Sequence, residues 1–488
     1  MNKSESYSRF QWIIIAISLL LLTTPHLCAL FGVEGPLPAA GMITVCTMAG
    51  GLLLWLFVDY SWPSLLVLMS LALIPDYGIG TVFASALGSS TIFYLLLCFA
   101  LAVSLKKTGV AKRVAVLLIT AKFSRRGPWY TVIMIFVAIF LLSSCLSSSS
   151  TFVIFLPILD EIFGMLQMKK GERDVFPTLM LCSLAVVTQF AQSGSPISHT
   201  IVVLGLDSYT AYTGDTIDFA TYCTVALPVA LLCSVVWFLI CRLIYRPDIS
   251  CLAHLDHENL RASLGPMTTR EKIAGGLYLS CVILWVLPGV SHILFPAAYP
   301  LLSKIDSCYP PIIALVLLHL LRIDKAPVVP IKDALAGVPW NTLLFAGTLL
   351  ALNDCIGNPE FGVADFLTGT LVPLFQGLPP MGLVLLMIAL TVVVTNFISN
   401  AVTIAMAMAI AIPLCTAADP SLVGPMSLLL TSTVNFSFAT STAIPAMPLV
   451  LDSGWVTPKE LLLRTTPAIL GSILVTWVVG IPLCRWLL

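Results

Sequence analysis

Two polar interruptions in otherwise apolar sequence carry the side chains best suited to holding small ions. The first is Ser143-Ser144-Cys145-Leu146-Ser147-Ser148-Ser149-Ser150-Thr151, and the second is Thr395-Asn396-Phe397-Ile398-Ser399-Asn400-Ala401-Val402-Thr403. Each lies between hydrophobic runs and is followed by an apolar stretch ending in proline, Pro157 or Pro413. Hydroxyl and amide oxygens without net charge can replace the water around a small cation, and Ser143, Ser147, Thr395, Ser399 and Asn400 supply them. A helix that stops inside a membrane adds unpaired carbonyls at its C-terminal end. The helix that follows offers N–H groups to carboxylate or sulfate oxygens. Pro196 and Pro445 mark a further interruption in each half, where a proline removes a main-chain donor. For Ser150, Thr151 and Thr403 taken singly, bonding back to the helix is the expected role.

The elements that position these breaks are read from composition. The chain has 488 residues, 58% hydrophobic and 10% charged, with mean hydropathy +1.01 and net charge zero. A soluble protein would carry roughly a quarter charged residues. Apolar runs recur from Trp12–Leu22 to Ile469–Leu483. They predict an all-α polytopic membrane protein with about eleven transmembrane helices plus two re-entrant hairpins, its helices discontinuous at the midplane. Lys3 and Arg9 ahead of the first run resemble a leader, but an uncleaved first span is expected. The 14 cysteines are scattered without ligand-like spacing and read as small buried hydrophobes. The expected partners are a small anion and the lipid bilayer; nucleic acid is not among them.

Spacing makes the chain a tandem repeat. Ser147 and Ser399 lie 252 positions apart, Gly109 and Gly357 lie 248 apart, and Pro196 and Pro445 lie 249 apart. Lys106, Lys107, Lys112, Arg113, Lys122, Arg125 and Arg126 accompany an apolar face of Val110, Val114, Leu117, Leu118 and Ala121, a basic amphipathic helix suited to the cytoplasmic surface. The counterpart from Asp354 to Pro380 holds no Lys or Arg, only Asp354, Glu360 and Asp365. By the positive-inside rule the two repeats are inverted. The resulting plan has N-terminal scaffold helices over 1–90 and a first repeat over 91–245 with its hairpin at 143–157. A cytoplasmic linker over 246–272 and further scaffold helices over 273–340 precede a second repeat over 341–488 with its hairpin at 395–413. His254-Leu255-Asp256-His257 in the linker reads as a solvated loop rather than a metal site, so no metal beyond sodium is expected.

These residues resemble the divalent-anion/sodium symporters, the family of dicarboxylate, citrate, tartrate and sulfate carriers. Its signatures are Ser-Asn-Thr at each hairpin tip and a proline-containing break after it. The likeness runs from about Pro63 to Thr466. Thr395 with Ser399-Asn400, Ala443-Ile444-Pro445, Asp452-Ser453-Gly454-Trp455-Val456-Thr457 and Val338-Pro339-Trp340-Asn341-Thr342-Leu343-Leu344 carry it. The resemblance implies one sodium at Ser143, Ser147 and Ser148 with the loop at Gly194, and another at Thr395, Ser399 and Asn400 with the loop at Ala443. It implies a substrate held by Ser147, Ser148, Ser149, Ser195, Pro196, Ser399, Asn400, Ala401 and Pro445. It further implies a homodimer in a cell inner (plasma) membrane, alternating access, and no cofactor besides sodium as coupling ion. The expected cargo is a divalent di- or tricarboxylate, sodium-coupled or exchanged, with sulfate as the alternative.

This chain departs from the pattern in both hairpins. Ser148 stands where the family has asparagine, and Ala401 where it has threonine. The shorter Ser148 is expected to leave a gap that water fills, weakening sodium coupling. Two other classes compete. An intramembrane serine hydrolase would use Ser195 with His199, without an evident orienting acid. A passive channel would need no paired midplane sites.

Overall fold

The computed structural model describes residues 7–33, 35–59, 61–75, 77–170, 175–197, 199–262, 264–294, 302, 306–371, 373, 377–441, 443–444 and 446–487. In hydrocarbon every main-chain N–H and C=O must find its partner within the protein, so the apolar runs become helices. The first group is α1 (Arg9–Leu30), α2 (Ala39–Phe57), α3 (Trp62–Ala72) and α4 (Gly78–Ala86). The first repeat follows as α5 (Ser90–Thr108), α6 (Val110–Ile119), α7 (Pro128–Ser143), α8 (Ser148–Met165), α9 (Val175–Ser193), α10 (Thr200–Thr213) and α11 (Phe219–Ile240). Next come α12 (His257–Ala262), α13 (Thr269–Leu294), α14 (Tyr309–Leu320) and α15 (Ile331–Ala336), with Arg322–Ile323 and Ala326–Pro327 paired as a small antiparallel hairpin after α14. The second repeat is α16 (Trp340–Gly357), α17 (Val363–Leu371), α18 (Pro380–Val394), α19 (Asn400–Ala418), α20 (Val423–Thr433), α21 (Met447–Leu451) and α22 (Pro458–Val475), and α23 (Ile481–Leu487) closes the chain.

Among the described residues, eight helical stretches are long and apolar enough to cross a membrane. The chain is an all-helical, multi-pass membrane protein. Its long helices leave large apolar side chains such as Leu20, Leu231, Ile283 and Leu470 facing outward, as lipid requires.

The two series α5–α11 and α16–α22 match element by element. The helix-starting prolines Pro128 and Pro380, and the residues Ser147 and Ser399 that precede α8 and α19, are each 252 positions apart. Asp218 and Thr457 cap α11 and α22, Pro228 and Pro467 lie inside them, and both pairs are 239 apart. Each of these helices then runs into a π-helical turn, Cys241–Tyr245 or Thr476–Gly480. The offset shrinks because α21 has 5 residues where α10 has 14. The left-handed glycine that leads into the short amphipathic helix is Gly109 (φ +81°) in one series and Gly362 (φ +65°) in the other. Gly357, which the sequence pairs with Gly109, instead ends α16. A β-carbon there would lie 2.5 Å from the Ala211 carbonyl oxygen of α10, so its smallness lets two helices touch.

The basic face of α6 differs from its expected form at one residue. Arg113 does not face the membrane surface; it is buried. It pairs with Glu271 at 2.8 Å and donates to the carbonyls of Leu264, Gly265 and Pro266. The linker is thereby fastened to the first repeat. Arg125 pairs with Glu258 at 3.2 Å, and Lys107 with Asp333 at 3.0 Å. Burial, with Arg125 nearby, lowers the pKa of the His257 imidazole. Asp256 beside it accepts from the Glu258 and Asn259 N–H groups at 3.0 Å, as a helix cap does.

Lys122 and Thr370 are exposed on the two corresponding amphipathic segments. In a background cleared of reactive thiols, Lys122→Cys and Thr370→Cys should label from opposite faces of intact cells. Labelling of both from one face would rule out inversion.

Candidate ion and anion site

Helix length places both breaks inside the membrane. α7 and α18 have 16 and 15 residues. At about 1.5 Å per residue each falls short of a hydrocarbon core about 30 Å thick. The chain turns at the tip and returns as α8 or α19.

At the first break α7 ends on Ser143, whose hydroxyl donates toward Thr188 Oγ1 on α9 at 3.2 Å, with Thr151 Oγ1 at 3.4 Å. Ser147 caps α8, accepting from the Ser150 N–H at 3.4 Å. Ser148 donates to Gln192 Oε1 at 2.7 Å and accepts from Gln189 Nε2 at 3.0 Å. Gln192 Nε2 donates to the Leu146 carbonyl at 2.9 Å. Tyr278 OH donates to the Cys145 carbonyl at 3.0 Å. Ser149 is exposed on the first turn of α8. Two glutamine amides from α9 thus bond to the short Ser148 side chain.

The second interruption of this half follows directly. α9 stops at Ser193, whose carbonyl accepts from Tyr222 OH at 2.5 Å. Gly194 packs so closely on α11 that a β-carbon would sit 2.9 Å from Leu227 Cδ2. Ser195 Oγ accepts from the Ile197 N–H at 3.3 Å across the turn made with Pro196. His199 Nδ1 accepts from the Ile201 N–H at 3.3 Å, so the ring caps α10. Ser195 and His199 both accept local main-chain N–H bonds, one in the turn and one at the start of α10.

At the second break α18 ends at Val394. The buried Thr395 Oγ1 lies 2.9 Å from Asn400 Oδ1 and 2.5 Å from the Val434 carbonyl. One hydroxyl hydrogen serves only one of these two partners at a time, and the main-chain carbonyl can only accept. Among the described residues, the buried Asn435 Oδ1 and Ser437 Oγ, on the segment that carries Val434, have no hydrogen-bond partner, and neither does Gln189 Oε1 at the first break. Such orphan oxygens cost free energy unless a cation or water meets them. Ser399 precedes α19 without a side-chain cap bond, Ala401 is buried, and Thr403 bonds back to the Ser399 carbonyl at 3.0 Å. Ala443 is buried in the loop beyond, and Pro445 lies outside the described residues.

Asn396 organises this break. Its Nδ2 donates to the Val392 and Phe436 carbonyls at 2.7 and 2.8 Å, and its Oδ1 accepts from the Phe438 and Ala439 N–H groups at 2.9 and 2.8 Å. Thr440 Oγ1 donates to its carbonyl. The full capacity of one amide thus holds an unwound strand against the end of α18. That strand was misplaced by the sequence: the helix stops at Thr433, ten residues before the Ala443-Ile444-Pro445 break. The run Thr431-Ser432-Thr433-Val434-Asn435-Phe436-Ser437 repeats the hydroxyl and amide character of the hairpin tips and was the available signal. Gln189 and Gln192, one helical turn apart in an apolar stretch, were the corresponding signal in the first half. Phe190 joins the two, with its ring 4.9 Å from Phe436 and 5.3 Å from Phe438.

A family model described as a citrate transporter matches residues 10–435. The chain belongs to the citrate transporter family. It is therefore a carrier in the membrane rather than an enzyme, its cargo belongs to the carboxylate anions, and the plasma membrane is its expected location. No curated protein sequence matches it. The fold is similar to that of the YdaH transporter of Alcanivorax borkumensis, at 15% identity, 98% coverage of both chains and TM-score 0.60. It is also similar to MtrF of Neisseria gonorrhoeae, described within a class of antimetabolite efflux pumps, at 14% identity, 99% coverage of this chain and 96% of that one, and TM-score 0.53. At these identities the likeness concerns architecture alone.

Removing the Asn396 amide strands at least one buried N–H and one buried carbonyl. Asn396→Ala should destabilise the carrier by about 1–3 kcal/mol or more. Thermal unfolding in detergent would show this as a melting transition below that of wild type.

Proposed function

We propose that this carrier moves a di- or tricarboxylate of the citrate class by secondary active transport, with a sodium ion held at the second break. The observation that carries the reading is the cluster of Thr395, Asn400 and the Val434 carbonyl where α18 ends and α19 begins. The residues fit a cation, since they supply a hydroxyl, an amide oxygen and a main-chain carbonyl from two interrupted helices. When bound, the ion supplies positive charge beside a polyanion. The chain's own groups do the rest. The N-terminal ends of α8 and α19 turn main-chain N–H groups into the breaks, where they answer carboxylate charge. The Asn400 amide offers its oxygen to the ion and its nitrogen hydrogens to the anion. Ser149, exposed at the tip of the first hairpin, supplies a hydroxyl on the anion side.

The resemblance to the divalent-anion/sodium symporters supports the rest of the cycle. The hairpins, α9 with α10 and α20 with α21 move together as one body against the remaining helices, and the assembly is a homodimer. Close helix contacts such as Gly357 on α10 make a smooth face suited to sliding. Sodium coupling and exchange for an internal anion are both compatible with this arrangement.

Proteoliposomes loaded with labelled citrate or succinate outside, with and without an inward sodium gradient, test the reading. Sodium-driven accumulation above the external concentration is expected, and equilibration without accumulation would sink it in favour of a channel. Asn400→Ala removes a buried hydrogen-bonding group worth roughly 1–3 kcal/mol, so transport affinity should fall by about tenfold to a hundredfold. An unchanged affinity would exclude the second break as the site.

A further inference from the structure

We propose that the head of α7 and the end of α11 form a binding site for an anionic phospholipid, with Arg242 and Arg126 as the cations that take its phosphate. The inference concerns the membrane around the carrier and stands apart from the reading of its cargo.

The basic residues at this end of the molecule fall into two groups. Arg113, Arg125 and Lys107 are each paired with a carboxylate, that of Glu271, Glu258 and Asp333 respectively. Arg126 and Arg242 are exposed, and among the described residues no carboxylate pairs with either. Each lies over an aromatic ring instead. Arg242, within the π-helical turn that follows α11, holds its guanidinium 5.4 Å from the centre of the Trp129 ring. Arg126 lies 5.2 Å from the centre of the Phe123 ring. Trp129 is the second residue of α7 and packs edge-on against Phe238 of α11, with ring centres 5.7 Å apart. Phe123 packs in the same way against Tyr130 at 4.9 Å. A ring supports the flat of a guanidinium and leaves its N–H edge free to donate. Two such edges therefore flank the first turn of α7.

The chemistry of the surroundings selects the occupant. By the positive-inside rule this basic end lies at the cytoplasmic leaflet, whose anionic lipids give it a negative surface potential. Val235, Leu239 and Leu243 are exposed at four-residue spacing along α11 and its π-helical turn, a stripe that runs into the membrane from beside Arg242. Free phosphate would use the cations and leave the stripe bare. A phospholipid uses both, its phosphate taking charge-assisted N–H bonds and an acyl chain lying along the stripe. The second repeat supplies a comparison. The residue that matches Trp129, 252 positions on, is Met381 in the first turn of α18. There Trp477, from the π-helical turn after α22, donates its Nε1–H to the Met381 carbonyl at 3.4 Å. Arg485 beyond it pairs with Asp419 at 3.9 Å. That junction is closed by a neutral group, whereas its counterpart in the first half presents a cation outward. With the repeats inverted, the cationic version is the one that meets the anionic leaflet.

Native mass spectrometry of the purified chain, titrated with lipid in detergent, reads the site. Phosphatidylglycerol is expected to fill a saturable site at least about tenfold more tightly than phosphatidylcholine, whose choline cancels the phosphate charge. Glycerol 3-phosphate, an anionic headgroup without chains, should not displace it. Arg242→Gln should weaken phosphatidylglycerol binding about tenfold or more. Lys112→Gln removes an exposed charge of α6 away from the site and should leave that binding unchanged. Equal affinity for the two lipids, or displacement by glycerol 3-phosphate, would overturn the proposal. So would a folded Arg242→Gln chain that keeps its preference. An equal loss in Lys112→Gln would overturn it in favour of a diffuse basic surface. Where Arg242→Gln does not fold, Arg126→Gln takes its place with the same expected loss, and an unchanged affinity there counts against the site.

Discussion

Four helix ends stop inside the membrane, and the arrangement of the centre follows from that one constraint. A helix end leaves carbonyls or N–H groups without internal partners, and hydrocarbon offers none. Each of the four is met by a neighbour. Gln192 and Tyr278 answer the Leu146 and Cys145 carbonyls after α7, Tyr222 answers the Ser193 carbonyl of α9, and Asn396 answers both the Val392 carbonyl of α18 and the strand that follows Thr433. The interrupted helices are thus tied to their neighbours by side-chain bonds to the main chain of the turns.

The two halves share a plan but solve this constraint with opposite chemistry. In the first, amide nitrogens from α9 satisfy the hairpin's oxygens. In the second, the asparagine belongs to the hairpin tip and its nitrogen is turned to main-chain carbonyls, while Asn400 and Thr395 keep oxygens facing one another. Repeats with the same backbone can therefore carry different binding properties, because the balance of donors and acceptors is set by a few side chains. The family match makes the chain a membrane carrier of anions of the carboxylate kind.

Much of this was legible in the sequence. The hairpin tips, the 252-position spacing, the polytopic class and the charge asymmetry of the two amphipathic segments all follow from local patterns of hydroxyl, apolar and basic residues. Tertiary partners were less visible. Arg113 looked like one more basic residue on a surface helix, because nothing local reveals that Glu271, 158 positions away, buries it. Gly109 was paired with Gly357 because spacing alone does not distinguish a left-handed glycine from one kept small by a neighbouring helix. The end of α20 was set ten residues late, since Val434, Phe436 and Phe438 are apolar enough to continue a helix until Asn396 is seen to claim their main chain. Gln189 and Gln192 passed unnoticed because their meaning depends on Ser148 across a helix contact.

The ring of Phe190 lies between those of Phe436 and Phe438, and all three are almost wholly buried. Volume at such a junction is conserved by packing: a smaller side chain on either side leaves a cavity, and a larger one forces its neighbours off their rotamers. The halves of this chain are consequently free to diverge at their hairpin tips but not where they meet.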